Sequence, residues 1–239
     1  VTEVEWLEST HLFGLLDYAR RRVSGRRLCS YALFWVDQTL HLLTDTTRRG
    51  VEQYRVQAAE PGRVIEHTWY AYSPGFSTSF THGSAANHAE DAAQALQFND
   101  WTTAALVAGR AVAQDRVYGP RTPASARSVY DLRFQFWEVA EHVVREQVFS
   151  LRCAAGNPFH AHTCDPEWLT PTALALARAG DSGDASVLPI LADALQDAGC
   201  EDGTILDHLR GAGPHLSCCW CSALILGKGW RMTKYLSSW

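Results

Sequence analysis

The chain has no apolar run of about 18 residues, and this excludes a membrane-spanning helix. It has no large basic face; 21 Lys and Arg stand against 26 Asp and Glu for a net charge of −5, so nucleic acid is not an expected partner. It carries no P-loop, no GxGxxG behind a strand pattern, no HExxH and no EF-hand loop. Nucleotide-driven and dinucleotide chemistry are therefore not expected. No GxSxG is present either; "PGFST" and "HGSAA" only echo it. The first residues, "VTEVEWLEST", are acidic and polar rather than a signal peptide, which predicts a cytoplasmic protein. Seven cysteines, an odd number without a paired disulfide framework, agree with a reducing compartment. No segment alternates apolar and polar residues over a strand length, and the expectation is an all-α fold.

What is present is a 239-residue chain of ordinary globular composition, 46% hydrophobic and 20% charged. That length buries a core without disulfides. Tryptophan is the outlier, with nine residues beside eight Tyr and nine Phe. Packing between helices is the economical use of such rings, and an aromatic-lined ligand pocket is the alternative. The basic cluster "ARRRVSGRR", Ala19 to Arg27, reads as a solvated helix end, where cations are favoured.

The pattern predicts roughly nine helices in an irregular bundle. Thr2 and Glu5 have capping-box spacing before the first. "HLFGLLDYARRRV" places Leu12, Leu15, Leu16 and Ala19 on one face. "RLCSYALFWVDQTLHLLTD" is apolar almost all round and predicts a central, buried helix with His41 in the core. Residues 67–85 read as a loop, and two long helical patterns follow, the second ending at Gly156. Beyond "GNPFHAHTCDPEWL" come short helices closed by Gly180, Gly199 and Gly211, the first with Thr170 as N-cap and Pro171 as first helical residue. The organisation read from this is an N-terminal and central helical region, 1–150, and a C-terminal short-helix lobe, 151–239, packed as one unit with it.

The motifs "TEVEWLEST", "LHLLTD", "GNPF", "DPEWLTPTALALA", "LPILADALQDAGC", "ILDHLRGAGPH" and "CCWCSALILGK" resemble a paralogous, bacterial family of uncharacterised planctomycete-type helical proteins. The resemblance covers about the first 55 residues and Gln147 to Lys228. It implies a helical fold and carries no catalytic residue with it. Family members commonly have cysteines where this chain has Leu33, Phe34, Trp35 and Val36, so it lacks any role resting on that cluster.

Three constellations could carry chemistry. The run "GPHLSCCWCSALILGKGW" holds His215, Cys218, Cys219 and Cys221; Cys218 and Cys221 form a CxxC pair with His215 three residues before. "HAHTC" supplies His160, His162 and Cys164 as a second set. Together they make His160, His162, Cys164, His215, Cys218 and Cys221 the candidate zinc ligands. The opposing reading is a buried last helix with inert thiols, since Leu216, Trp220 and "ALIL" surround the cysteines. A thiol oxidoreductase is disfavoured because no strand precedes the CxxC. The second constellation is Glu138, Glu141, His142 and Glu146, with His88, Glu90 and Asp91 as partners; its spacing misses Glu-x-x-His by one, which favours a solvated charged face. The third is a Ser/His pair at His82 to Ser84. His208 reads as an imidazolium at a helix C-terminus.

The preferred function is a non-enzymatic helical module that binds another protein, with no cofactor required. The rival is a hydrolase, metal-assisted in one form, using the 67–88 loop or the His/Cys groups near 160–164 and 215–221.

Overall fold

Short polar side chains set the helix starts. In the computed structural model, which describes residues 1–59, 84–119, 131–160, 162–217 and 219–228, eleven α-helices and no strand are found among the described residues. They are α1 (Glu3–Glu8), α2 (Leu12–Arg22), α3 (Gly25–Asp37), α4 (Asp45–Ala59), α5 (Ala85–Gln97), α6 (Trp101–Tyr118), α7 (Asp131–Ala155), α8 (Pro171–Asp181), α9 (Leu188–Asp197), α10 (Gly203–Arg210) and α11 (Trp220–Ile225). The all-α expectation is met. No helix among the described residues is long and apolar enough to cross a membrane.

Several caps follow from their sequences. Thr2 and Glu5 exchange backbone and side-chain hydrogen bonds at 2.7 and 3.2 Å, satisfying two of the orphan N–H groups at the start of α1. Thr170 Oγ1 accepts from Ala173 N–H at 3.1 Å, with Pro171 in the first turn where its missing N–H costs nothing. Gly156 and Gly199 sit at φ +70° and +88°, the left-handed region that ends α7 and follows α9.

The chain forms two compact units, 1–30 with 148–239, and 31–147. This divides it differently from the 1–150 and 151–239 regions read from the sequence. The physical reason lies within the first unit, where the N-terminal helices are tied to the end of α7. The Trp6 indole, fully buried, donates to Gly156 O at 3.1 Å. Arg152 donates to Trp6 O and Ser9 O at 2.7 and 2.8 Å. Asn157 donates to Glu3 at 2.8 Å. In the same unit α9 packs on α8 and α10, and α11 packs on α8. The buried Leu191, Leu195, Ile205, Leu209, Trp220 and Ile225 belong to these helices.

In the second unit α5 lies against α6, and both helices bury small residues: Ala85, Ala89, Ala92 and Ala93 in one, Ala104, Ala105, Ala108 and Gly109 in the other. Gln147, almost fully buried, donates to Ala105 O at 2.6 Å, and Tyr31 donates to Gln147 O at 3.2 Å. Tyr54 donates to Asn99 and accepts from the Trp101 indole.

Two readings of single residues change. The third helix ends at Asp37 rather than running on to Asp45; Thr39 Oγ1 donates to Val36 O at 2.7 Å and only a short 3-10 turn, Leu40–Leu42, follows. His41 is therefore exposed, paired with Asp115 at 2.8 Å, and not in the core. Of the basic cluster, Arg20 and Arg21 pair with Asp17, but Arg27 is buried and donates to Ala154 O.

Candidate metal centre

Within the first unit, Cys153, His208, His215 and Cys219 place one ligand atom each so that all four lie within 4.8 Å of one another. They come from three regions of the chain. Cys153 stands in the last turn of α7, with Leu151 and Ala154 turned to the core beside it. His208 stands in the last turn of α10. His215 lies in the connection after α10, and Cys219 is the N-cap of α11. The two sulfurs are buried and the two imidazoles are half-buried.

Backbone groups outside the set hold two of the donors, and Trp220 packs against a third. His215 Nε2–H donates to Gly211 O at 2.9 Å, which leaves Nδ1 as the ligand nitrogen, 3.8 Å from Cys153 Sγ. A backbone carbonyl on the second ring nitrogen is the usual way a metal-binding histidine is oriented and its tautomer fixed. The Leu216 N–H donates to Cys153 Sγ at 3.4 Å, a contact that favours the thiolate. His208 Nε2 is 3.2 Å from Cys219 Sγ, and its ring stands edge-on to His215 at 5.1 Å and tilted against Trp220 at 5.4 Å. Gly213 approaches the Phe149 ring so closely that an added Cβ would lie 1.8 to 2.4 Å from ring carbons. Phe149 is one turn before Cys153, so α7 seats the 211–219 connection through two neighbouring side chains.

The electrostatics suit a cation. Hydrogen bonds from Cys153 and Cys221, and then from His208 and His215, hold the Cys219 thiol well below its ordinary range despite burial. The contact with Cys219 raises the His215 imidazole. Burial pushes the neighbouring Cys221 well up, so it keeps its proton. A proton shared between sulfur and imidazole is what a bound divalent metal displaces. Tetrahedral zinc, with bonds of about 2.3 Å to sulfur and about 2.0–2.1 Å to nitrogen, spaces its donors roughly 3.3–3.8 Å apart. The observed cage, within 4.8 Å, needs contraction of at most about 1.5 Å to reach that. Two soft thiolates and two imidazoles suit zinc and disfavour magnesium and calcium.

Five of the six ligands expected from the sequence are described, and of these His215 alone belongs to this cluster. His160 is exposed and pairs with Glu3 at 2.7 Å. His162 lies 3.3 Å from Asp202 and its ring packs on Trp220 at 4.5 Å. Cys164 is half-buried with its Sγ directed at its own neighbour's carbonyl, Asp165 O. Cys221 is buried and faces Ile205 O at 3.9 Å. Cys218 lies outside the described residues. Among the described residues, His160, His162, Cys164 and Cys221 stand outside the cluster, which takes Cys153, His208 and Cys219 beside His215. His162 is spent on Asp202, whose other oxygen caps α10 through Thr204 N and Ile205 N.

Elsewhere, Glu141 pairs with Arg145, and Glu146 with His142 and Arg116, an ion-pair face rather than a metal group. Glu90 accepts from Thr44 N and Thr47 Oγ1. No further metal group is found among the described residues. Residues 67–83, including His82, lie outside them; Ser84 caps α5, accepting from Asn87 N–H at 3.3 Å.

Cys153, His208 and Cys219 were missed for identifiable reasons. Cys153 is 55 residues before His208 and sits among apolar helix residues. His208 has the position of a simple helix-end cation. Cys219 lies inside the CxxC motif, between the two cysteines that drew attention. The signal available was weak: a histidine and a cysteine flanking the Gly-Pro connection 211–219 on either side. Compared with known protein families, with curated proteins and with solved structures, the chain matches none of them.

Proposed function

We propose that this chain is a helical protein-interaction module whose first unit is fastened by a structural zinc ion on Cys153, His208, His215 and Cys219. One observation carries the zinc reading: two sulfur and two imidazole donors from three segments lie within 4.8 Å of one another, and backbone groups outside the set hold two of them, His215 and Cys153. Four protein donors complete a tetrahedron and leave no position for water or substrate, which supports a structural over a hydrolytic role. Two of the helices joined are short: α10 has eight residues and α11 six. Such segments are marginal alone, so a shared ion supplies cohesion that helix propensity cannot.

The interaction reading is supported by exposed apolar side chains on α1 and α2: Val4 at 62%, Leu7 at 51% and Phe13 at 66%. It predicts that Leu7→Asp with Phe13→Asp lowers partner binding and leaves zinc content unchanged. The zinc reading is tested by cobalt substitution in the full chain. Thiolate-to-cobalt charge-transfer and tetrahedral ligand-field bands are expected at one cobalt per chain, and are lost in Cys219→Ser. An octahedral spectrum, or none, overturns it.

A further inference from the structure

The centre mixes two sulfur and two nitrogen donors, and only the sulfurs can be oxidised to a covalent link. Resting on the zinc reading, we propose that Cys153 and Cys219 form a reversible disulfide when the zinc-loaded protein meets hydrogen peroxide, and that this releases the ion.

The geometry selects this pair. The two sulfurs lie within 4.8 Å in the metal-binding arrangement, and zinc draws bound thiolates to roughly 3.8 Å. Their residues sit on different elements, the last turn of α7 and the N-cap of α11, so a link between them need not fall inside one helical turn. Among the described residues the competing thiol is Cys221, which hydrogen-bonds Cys219 but lies only two residues along the chain. Cys221 is already inside α11, with its sulfur turned toward Ile205 O. A link between residues two apart there requires unwinding the first turn of a six-residue helix. The half-buried His208 and His215 rings are the part of the centre that solvent reaches, and peroxide is a small oxidant.

The step balances. One thiolate sulfur attacks a peroxide oxygen, the O–O bond breaks, and a sulfenic acid and hydroxide form. The second thiolate attacks the sulfenic sulfur, the S–S bond forms and a second hydroxide leaves. Two electrons pass from two sulfurs to peroxide, and two solvent protons convert the hydroxides to water. Two imidazoles remain as donors, too few to retain zinc against water. A thiol reductant returns both sulfurs to thiolates and the site refills.

The test uses the full chain loaded with zinc, its content measured before peroxide is added. Peroxide is then titrated with a chromophoric zinc chelator present, and the products are alkylated and mapped by mass spectrometry without reduction. The expected result is release of about one zinc per chain with a Cys153–Cys219 cross-linked peptide, and recovery of zinc binding after dithiothreitol. Cys221→Ser is expected to release zinc and form the same link. Retention of zinc, a Cys219–Cys221 link, or release with only sulfinic or sulfonic acid that dithiothreitol does not reverse overturns the proposal. A chain that takes up no zinc at the outset overturns the underlying zinc reading instead, and is recognised before any oxidant is present.

Discussion

The two compact units reach order by different means. In unit 31–147, long helices rich in buried small residues pack together: α5 has 13 residues and α6 has 18, and most of their buried residues are alanine or other small side chains. Close backbone approach over many turns gives many weak contacts, each small but collectively large. In the other unit, α8 to α11 have 11, 10, 8 and 6 residues. Their order rests on discrete fastenings: side-chain caps at Thr170 and Asp202, the Arg210 contacts to Asp193 and Gln196, and the sulfur–imidazole cluster. Distributed packing degrades gradually when one atom is changed. Fastening at a few points fails at those points.

The comparison is broken most severely by removing the fastening. Cys219→Ser is expected to lower zinc affinity by more than about hundredfold, since even outer-shell changes cost 10- to 100-fold. Hydrogen exchange should then rise in α10 and α11 while α5 and α6 stay protected. Equal loss of protection in both units would remove the distinction. Cys221→Ser, beside the same sulfur but outside the ligand set, should keep the metal.

The distributed unit is broken by overpacking. A Cβ on Gly109 would fall 2.2 to 2.5 Å from the Gln147 amide, whose nitrogen donates to Ala105 O. Gly109→Ala is expected to destabilise unit 31–147 by about 1–3 kcal/mol in urea unfolding. Zinc content should be unchanged.

A smaller effect sharpens the contrast from within the fastened unit. Gly213→Ala pushes on Phe149, which is 36% exposed and can swing outward. The expected result is a drop in zinc affinity of about tenfold, at the lower end of outer-shell effects. Phe149→Ala should restore it; if the double variant binds no better, Gly213 does not act through that ring.

The smallest expected effect is a pH slope confined to unit 31–147. Burial, aided by the charge of Arg110, lowers His88 to about 4, with Asp91 3.9 Å away on the same helix. The unfolded chain binds a proton there below its ordinary value of about 6.5, and the folded chain refuses it until about pH 4. Stability therefore falls as pH falls through that window. His88→Phe should flatten the slope without touching zinc binding.

Much of the fold was legible because its determinants are local. The capping box at Thr2 and Glu5, Thr170 before Pro171, and the glycines after α7 and α9 act over a few residues, and helical periodicity spans one element. The unit boundary was not legible, since the Trp6–Gly156 and Arg152–Ser9 contacts join residues about 150 apart and leave no pattern in either segment. The site was half legible for the same reason. The run from His215 to Cys221 stood out as ligand-rich, but nothing in it says which of three neighbouring sulfurs faces His208. That choice is made by the start of α11, which puts Cys219 at the cap and turns Cys221 toward Ile205. Cys153 could be found only through the fold.

The central claim is the identity of the ligand set. Elemental analysis of the full chain, purified without chelator, tests it most directly. One zinc per chain is predicted, lost in Cys153→Ser and Cys219→Ser and kept in Cys164→Ser, Cys218→Ser and His160→Ala. Zinc that survives loss of Cys153 and Cys219, or that departs with Cys164 or Cys218, would contradict it.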